Sequence, residues 1–162
     1  MIEIIFLDVD GCLTDGGLYY TNSGDEFKKF NVNDGFGIEQ WNKMGKISAI
    51  ITGKSSAIVE KRASDLKIKY VYQSVKDKLS VAKEILAKEN LSFENAAAIG
   101  DDLNDIKLLN AVNLSFKPAN AHEILKTDIT LKKCGGSGAV REMIEIIVDK
   151  NGESKLWFDK WR

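Results

Sequence analysis

Histidine and cysteine are scarce in this 162-residue chain, which has one His, His122, and two Cys, Cys12 and Cys134. The cysteines stand far apart, so they form neither a CxxC pair nor a disulfide framework, a pattern that suits a reducing cytosol. An excess of one charge is also missing. Lys and Arg number 23 against 24 Asp and Glu, which removes the bulk electrostatic case for nucleic acid or an anionic membrane surface. No apolar run approaches the ~18 residues of a membrane-spanning helix. The first residues enter an apolar strand without a basic stretch, so no signal peptide is predicted. Linkers, internal repeats and low-complexity segments are absent. With 44% hydrophobic and 29% charged residues, the composition is that of a globular domain with a real core. The expectation is one cytoplasmic domain over residues 1–162.

Short, wholly apolar β-like runs alternate with helix-period segments. The strands predicted are Ile2–Leu7, Ile47–Ile51, Tyr70–Tyr72, Ala96–Ile99, Val112–Ser115 and Ile129–Leu131. The helices predicted are Gly35–Lys43, Ser56–Asp65, Lys76–Glu89, Ile106–Asn110, Ala121–Lys126 and Ala139–Val148. Leu79, Ala82, Ile85 and Leu86 recur at helical spacing in the third helix. Such a rhythm gives an α/β fold, a doubly wound, Rossmann-like parallel sheet with helices on both faces. One segment departs from it. "GGLYYTNSGDEFKKF" places aromatics on either side of the turn residues "TNSGD" and reads as a β-hairpin insert, a flap over about residues 16–31. The last stretch, about 150–162 and containing "KNGESKLWFDKWR", is polar with two tryptophans and no evident partner.

Ligands of open α/β sheets bind outside the carboxyl ends of the strands. Asp8, Asp10 and Gly11 follow the first strand, and Thr52, Gly53 and Lys54 follow the second. Lys76 and Lys78 come after the third, and Asp101, Asp102 and Asp105 after the fourth. Carboxylates, a hydroxyl and a lysine therefore converge on one edge, a set suited to Mg²⁺ and phosphate. Each piece has an ordinary reading. "DVDG" can be an acidic turn, "TGKSS" a helix N-cap rather than a P-loop, Lys78 a solvated lysine and "GDDLND" an acidic helix start. Four together at successive strand ends are a different matter. Cys12 is read as packing and His122 as a helix-start residue.

The motifs "DVDGCLTD", "ITGK", "YQSVKDKL" and "GDDLND" resemble those of the haloacid dehalogenase superfamily of phosphatases. "FNVNDGFGI" and "GGSGAVREM" resemble its capless 3-deoxy-D-manno-octulosonate 8-phosphate (KDO 8-phosphate) phosphatase branch. The resemblance implies no cap domain, Mg²⁺ as cofactor and a phosphorylated sugar acid as substrate. It implies Asp8 as nucleophile, Asp10 as the group that protonates the leaving alcohol and later deprotonates water, and Thr52 with the Gly53 N–H on the phosphoryl group. It further implies Lys78 as charge balance, metal ligation by Asp8, the Asp10 carbonyl and Asp101, and substrate contacts from Gly53, Lys54 and Thr14. Asp102 and Asp105 would reach the metal through water. Some octulosonate phosphatases carry a basic residue where this chain has Ser137. Sialic-acid-type relatives often carry Glu where this chain has Lys54, a cation that suits a substrate carboxylate. The branch also implies a homotetramer in which a neighbouring subunit covers each site. Alternatives are a nonulosonate 9-phosphate phosphatase and an idle oligomerising domain like the tail of sialic-acid cytidylyltransferases. A receiver-type phospho-acceptor would need an Asp after its third strand, where "QSV" stands.

Overall fold

The computed structural model describes residues 1–161. Its elements run β1 (Ile4–Leu7), β2 (Tyr19–Tyr20), β3 (Glu26–Phe27), α1 (Val32–Lys43), β4 (Ile47–Ile51), α2 (Ala57–Asp65), β5 (Tyr70–Tyr72) and α3 (Lys78–Lys88). They continue with β6 (Ala96–Ile99), α4 (Ile106–Leu109), β7 (Leu114–Lys117), β8 (Ile129–Thr130), α5 (Ala139–Lys150) and α6 (Ser154–Phe158). Six strands form one parallel sheet in the order β5-β4-β1-β6-β7-β8. β1 is central, with Ile4 beside both Ile47 and Ala96.

Alternation along β1 divides the core into two layers. Ile5 and Leu7 pack with Ile38 and Trp41 of α1, Val59 of α2 and Met143 and Ile144 of α5. Ile4 and Phe6 pack on the other face with Ala82, Ile85 and Leu86 of α3 and Leu108 of α4. Both faces are covered, which is why the strands are apolar throughout.

Local side-chain caps set the starts of α1, α2 and α3. Asn31 accepts a bond from the Asn33 N–H at 2.8 Å, so α1 begins three residues before the predicted Gly35. Ser56 caps α2 through the Ile58 N–H. α5 is different, because its cap residue is Gly138, with φ +100° and no side chain to offer. The buried Asp34 of α1 substitutes, accepting from the Arg141 N–H at 2.8 Å. Burial raises the pKa of Asp34, opposed by the N–H groups of Arg141, Gly138 and Val140.

Three sequence expectations need correction. The fifth strand lies at Leu114–Lys117 rather than Val112–Ser115, because Asn113 turns the chain by bonding the Phe93 and Ala96 carbonyls. Ala121–Lys126 is not a helix but two isolated turns, Ala121 to Pro118 and Leu125 to His122. The buried Leu125 pins this segment through tertiary contacts, and Lys117 Nζ donates to its carbonyl at 2.6 Å. His122 is accordingly a turn residue. The C-terminal stretch does have a partner. Trp157 is buried with the Arg141 guanidinium over its ring, and Glu153 pairs with the buried Lys46 at 3.0 Å. Arg162, the last residue of that stretch, lies outside the described residues.

The hairpin is present as predicted, with Tyr19 opposite Phe27 and their rings stacked. An isolated bridge between Thr14 and Phe30 ties its far end to the loop after β1.

Candidate active site

β1 ends at Leu7, and the chain then winds through Val9–Leu13 in a single wide turn closed by the Thr14 N–H on the Val9 carbonyl. Asp8 and Asp10 therefore do not share a face as alternate residues of one strand. The turn, rather than the pleat, brings both to the same cavity of about 290 Å³. Two constraints require glycine at position 11. Its φ is +90°, and a Cβ there would collide with the Asp101 carboxylate. Behind the turn, Gly135 and Gly136 pack so closely that a Cβ on either would strike the backbone of Gly11 or of Thr14–Asp15. The Gly136 N–H donates to the Cys12 carbonyl at 3.1 Å.

Lys78, the first residue of α3, extends a buried side chain to the loop. Its ammonium donates to Asp8 Oδ1 and to Asp105 Oδ1, each at 2.6 Å. Burial lowers its pKa, but the charges of Asp8 and Asp105 outweigh this and raise it. Asp105 gives its second oxygen to the N–H groups of Asp101 and Asp102, at 3.0 and 3.3 Å. Both of its oxygens are thus engaged in orienting the "GDDLND" loop and Lys78. Asp102 caps that turn by accepting from the Leu103 N–H.

The charges do not balance. One ammonium serves Asp8 and Asp105, while Asp101 stands half-buried beside them. Burial pushes the Asp8 carboxyl up to about 7, with Lys78 pulling it down and Asp105 and Asp101 pushing it up. Burial, then Asp105 and Asp102, raise Asp101 to about 6. Carboxylates held against their own ionisation beside an open cavity are the electrostatic signature of a cation site. Oxygens of Asp8 and Asp101 lie within 4.8 Å of each other and of the Cys12 sulfur. The oxygen donors suit a hard divalent ion. Cys12 is buried, and burial followed by the nearby Asp8 charge raises its thiol well above the ordinary value, so it stays protonated.

The cavity is lined by Asp8, Asp10, Thr52, Gly53, Lys54 and Asp101, together with Gly16, Asp102 and Asn104. Thr52 is buried at the end of β4, held by its N–H on the Tyr72 carbonyl at 3.0 Å. Gly53 and Lys54 are exposed on the rim.

Residues 25–131 match the family model of haloacid dehalogenase-like hydrolases. The chain is 40% identical over 154 residues to the 3-deoxy-D-manno-octulosonate 8-phosphate phosphatase KdsC of Escherichia coli, covering 94% of this chain and 82% of that protein. This chain belongs to the KDO 8-phosphate phosphatase family of haloacid dehalogenase-like hydrolases. Among solved structures, a probable YrbI family phosphatase from Pseudomonas syringae superposes with a TM-score of 0.95 at 38% identity, covering 99% of this chain and 92% of that one. The Moraxella catarrhalis KDO 8-phosphate phosphatase, in complex with magnesium, phosphate and KDO, superposes at 0.94 with 36% identity, covering 99% and 94%.

The phosphatase brings seven of the eight sequence-predicted site residues to one place or its wall: Asp8, Asp10, Thr52, Gly53, Lys54 and Asp101 in the cavity, with Lys78 immediately behind; of the two acids expected to reach a metal through water, Asp102 lines the cavity and Asp105 lies behind it. Thr14 is the exception and corrects the expectation of a substrate contact. It is buried, and its hydroxyl accepts from the Gly11 and Gly16 N–H groups at 3.3 and 3.2 Å. It therefore braces the loop that carries Asp8 and Asp10. Ser137 is exposed and does not line the cavity. Sequence reasoning missed Lys28, whose ammonium lies 2.7 Å from Asp10 Oδ1, and also Asn104. No local pattern distinguishes Lys28 from Lys29. Only the hairpin pairing and the Thr14–Phe30 bridge turn it inward. No helix among the described residues is long and apolar enough to cross a membrane.

Proposed function

We propose that this phosphatase hydrolyses 3-deoxy-D-manno-octulosonate 8-phosphate in a Mg²⁺-dependent reaction through an aspartyl-phosphate on Asp8. The observation that carries the reading is the charge imbalance at Asp8 and Asp101 in a chain that matches KDO 8-phosphate phosphatases along nearly its whole length.

Asp8, Asp101 and the Asp10 carbonyl would hold the Mg²⁺, which supplies positive charge against the incoming phosphoryl dianion. The Asp8 carboxylate attacks phosphorus and the phosphorus–oxygen ester bond breaks. Asp10 gives its proton to the departing sugar oxygen. Water then attacks the phosphorus, Asp10 takes its proton, and the bond to Asp8 breaks to release phosphate. Thr52 and the Gly53 N–H orient the phosphoryl group. Lys78, kept charged by its two carboxylates, limits the repulsion between Asp8 and the dianion. Lys54 on the rim meets the substrate carboxylate. Phosphate release assays with Mg²⁺ should show turnover of KDO 8-phosphate well above that of a nonulosonate 9-phosphate. The reverse preference would transfer the assignment to the nine-carbon acids, and no turnover of either would favour an idle oligomerising domain.

The same reading makes the chain one cytoplasmic catalytic domain that acts as a homotetramer. A cavity with no cap needs a cover, and Leu18, Tyr20 and Phe27 leave the hairpin with exposed apolar surface, 57%, 63% and 52% accessible. Light scattering should report four copies, and an active monomer would refute the assembly.

A further inference from the structure

Lys28 lies outside the machinery assigned above. It follows β3 on a hairpin whose outward residues are open to solvent, yet its own side chain is only 3% exposed. Its ammonium sits 2.7 Å from Asp10 Oδ1 and 3.5 Å from Glu26 Oε1. Among the described residues no other side chain bonds the Asp10 carboxylate. The Thr14–Phe30 bridge fixes the backbone on either side of the contact, so loop and hairpin are joined twice, once through main chain and once through this pair. A solvated pair between flexible side chains would fix little. Here the lysine stem is buried and one carboxylate oxygen is held directionally.

We propose that Lys28 is a positioning residue that fixes the Asp10 carboxylate for proton transfer, making the hairpin part of the catalytic apparatus rather than only a cover. This rests on the reading of Asp10 as the group that protonates the leaving oxygen. Proton transfer needs the donor within hydrogen-bond reach of that oxygen. An unanchored carboxylate visits that position less often. In the phosphorylation step the loss falls on esters whose alcohol leaves poorly without a proton and spares those whose leaving group is already good, whereas hydrolysis of the aspartyl-phosphate, where Asp10 takes the proton of water, is common to both.

The test uses Lys28→Met, Lys28→Arg, Asp10→Asn and the Asp10→Asn/Lys28→Met double variant with Mg²⁺. Each is assayed on KDO 8-phosphate and on p-nitrophenyl phosphate for the single-turnover rate of alcohol release, which reports phosphorylation alone, and for half-saturation. Lys28→Met should lower the phosphorylation rate on the sugar ester about 10- to 100-fold, the range for a misplaced catalytic group. On the aryl ester it should change the phosphorylation rate by less than about threefold, with half-saturation held on both. Lys28→Arg should restore most of the sugar-ester rate, and Lys28→Met should add no loss in the Asp10→Asn background. Equal losses on both esters, a rise in half-saturation alone, or full additivity in the double variant would overturn the proposal. If Lys28→Met does not fold, Lys28→Gln is read by the same criteria. If Asp10→Asn treats the two esters alike, the reading of Asp10 itself fails. If Asp10→Asn discriminates and Lys28→Met does not, only the role of Lys28 fails.

Discussion

Replacing Asp8 by asparagine should end turnover and, in EDTA at pH 8, make the protein more stable. Burial holds the Asp8 carboxyl at about 7 against an ordinary 3.8. A displacement of that size corresponds to about 4 kcal/mol against the ionised form in the fold. Water entry and local relaxation reduce it by about half, leaving about 2 kcal/mol that an amide does not incur. Lys78 keeps Asp105 as a partner at 2.6 Å, so the substitution does not strand a buried cation. For a chain of this length, ~2 kcal/mol raises the melting temperature by about 4–8 °C. The sign with pH follows from the direction of the displacement. A carboxyl whose folded pKa lies above its unfolded one contributes stability below about pH 4 that is lost as pH rises through about 7. Melts of the wild type in EDTA should therefore fall between pH 4 and pH 8, more steeply than those of Asp8→Asn. Asp101, at about 6, leaves a shallower slope in the variant. An Asp8→Asn protein that melts below wild type at pH 8 in EDTA, or a flat wild-type profile, would refute the electrostatic account.

Lys78→Met should have the opposite effect on stability. It leaves Asp8 and Asp105 without their shared cation, at a cost of ~3–5 kcal/mol, and a melting temperature within about 2 °C of wild type in EDTA would contradict that. Chelation should abolish turnover and Mg²⁺ should restore it, with apparent Mg²⁺ affinity weakening below about pH 6–7 as Asp8 and Asp101 take up protons. Ca²⁺ should bind but support little turnover, and full activity in EDTA would defeat the metal reading. Lys54→Glu should weaken use of KDO 8-phosphate much more than use of p-nitrophenyl phosphate, and equal losses would remove Lys54 from substrate recognition.

The parallel sheet was legible because its strands are covered on both faces and so carry unbroken apolar runs, such as Ile4–Leu7 and Ala96–Ile99. The site was legible because chemistry collects where those runs stop, at Asp8, Thr52 and Asp101. What escaped depends on partners distant in sequence. Asp34 caps a helix 107 residues further on, and nothing near it announces that use. Asp105 reads as a first-turn acid, yet both its oxygens are committed to Lys78 and the backbone of Asp101 and Asp102. Lys28 looks like any hairpin lysine until pairing fixes which way it points. The error at Ala121–Lys126 has the same origin, since a short stretch with helical spacing is decided by what it packs on.

The glycines behind the Val9–Leu13 turn also bear on when activity first appears during synthesis. Asp8, Lys78 and Asp105 have all left the ribosome well before Gly135 and Gly136, the pieces that seat against Gly11 and Asp15. The helix that receives Asp34 emerges later still. A nascent or prematurely terminated chain ending before residue 134 holds the full set of reactive side chains with nothing behind the loop that aims them. This packing predicts that competence arrives with about the last fifth of the chain, and that a fragment ending before residue 134 shows no phosphatase activity.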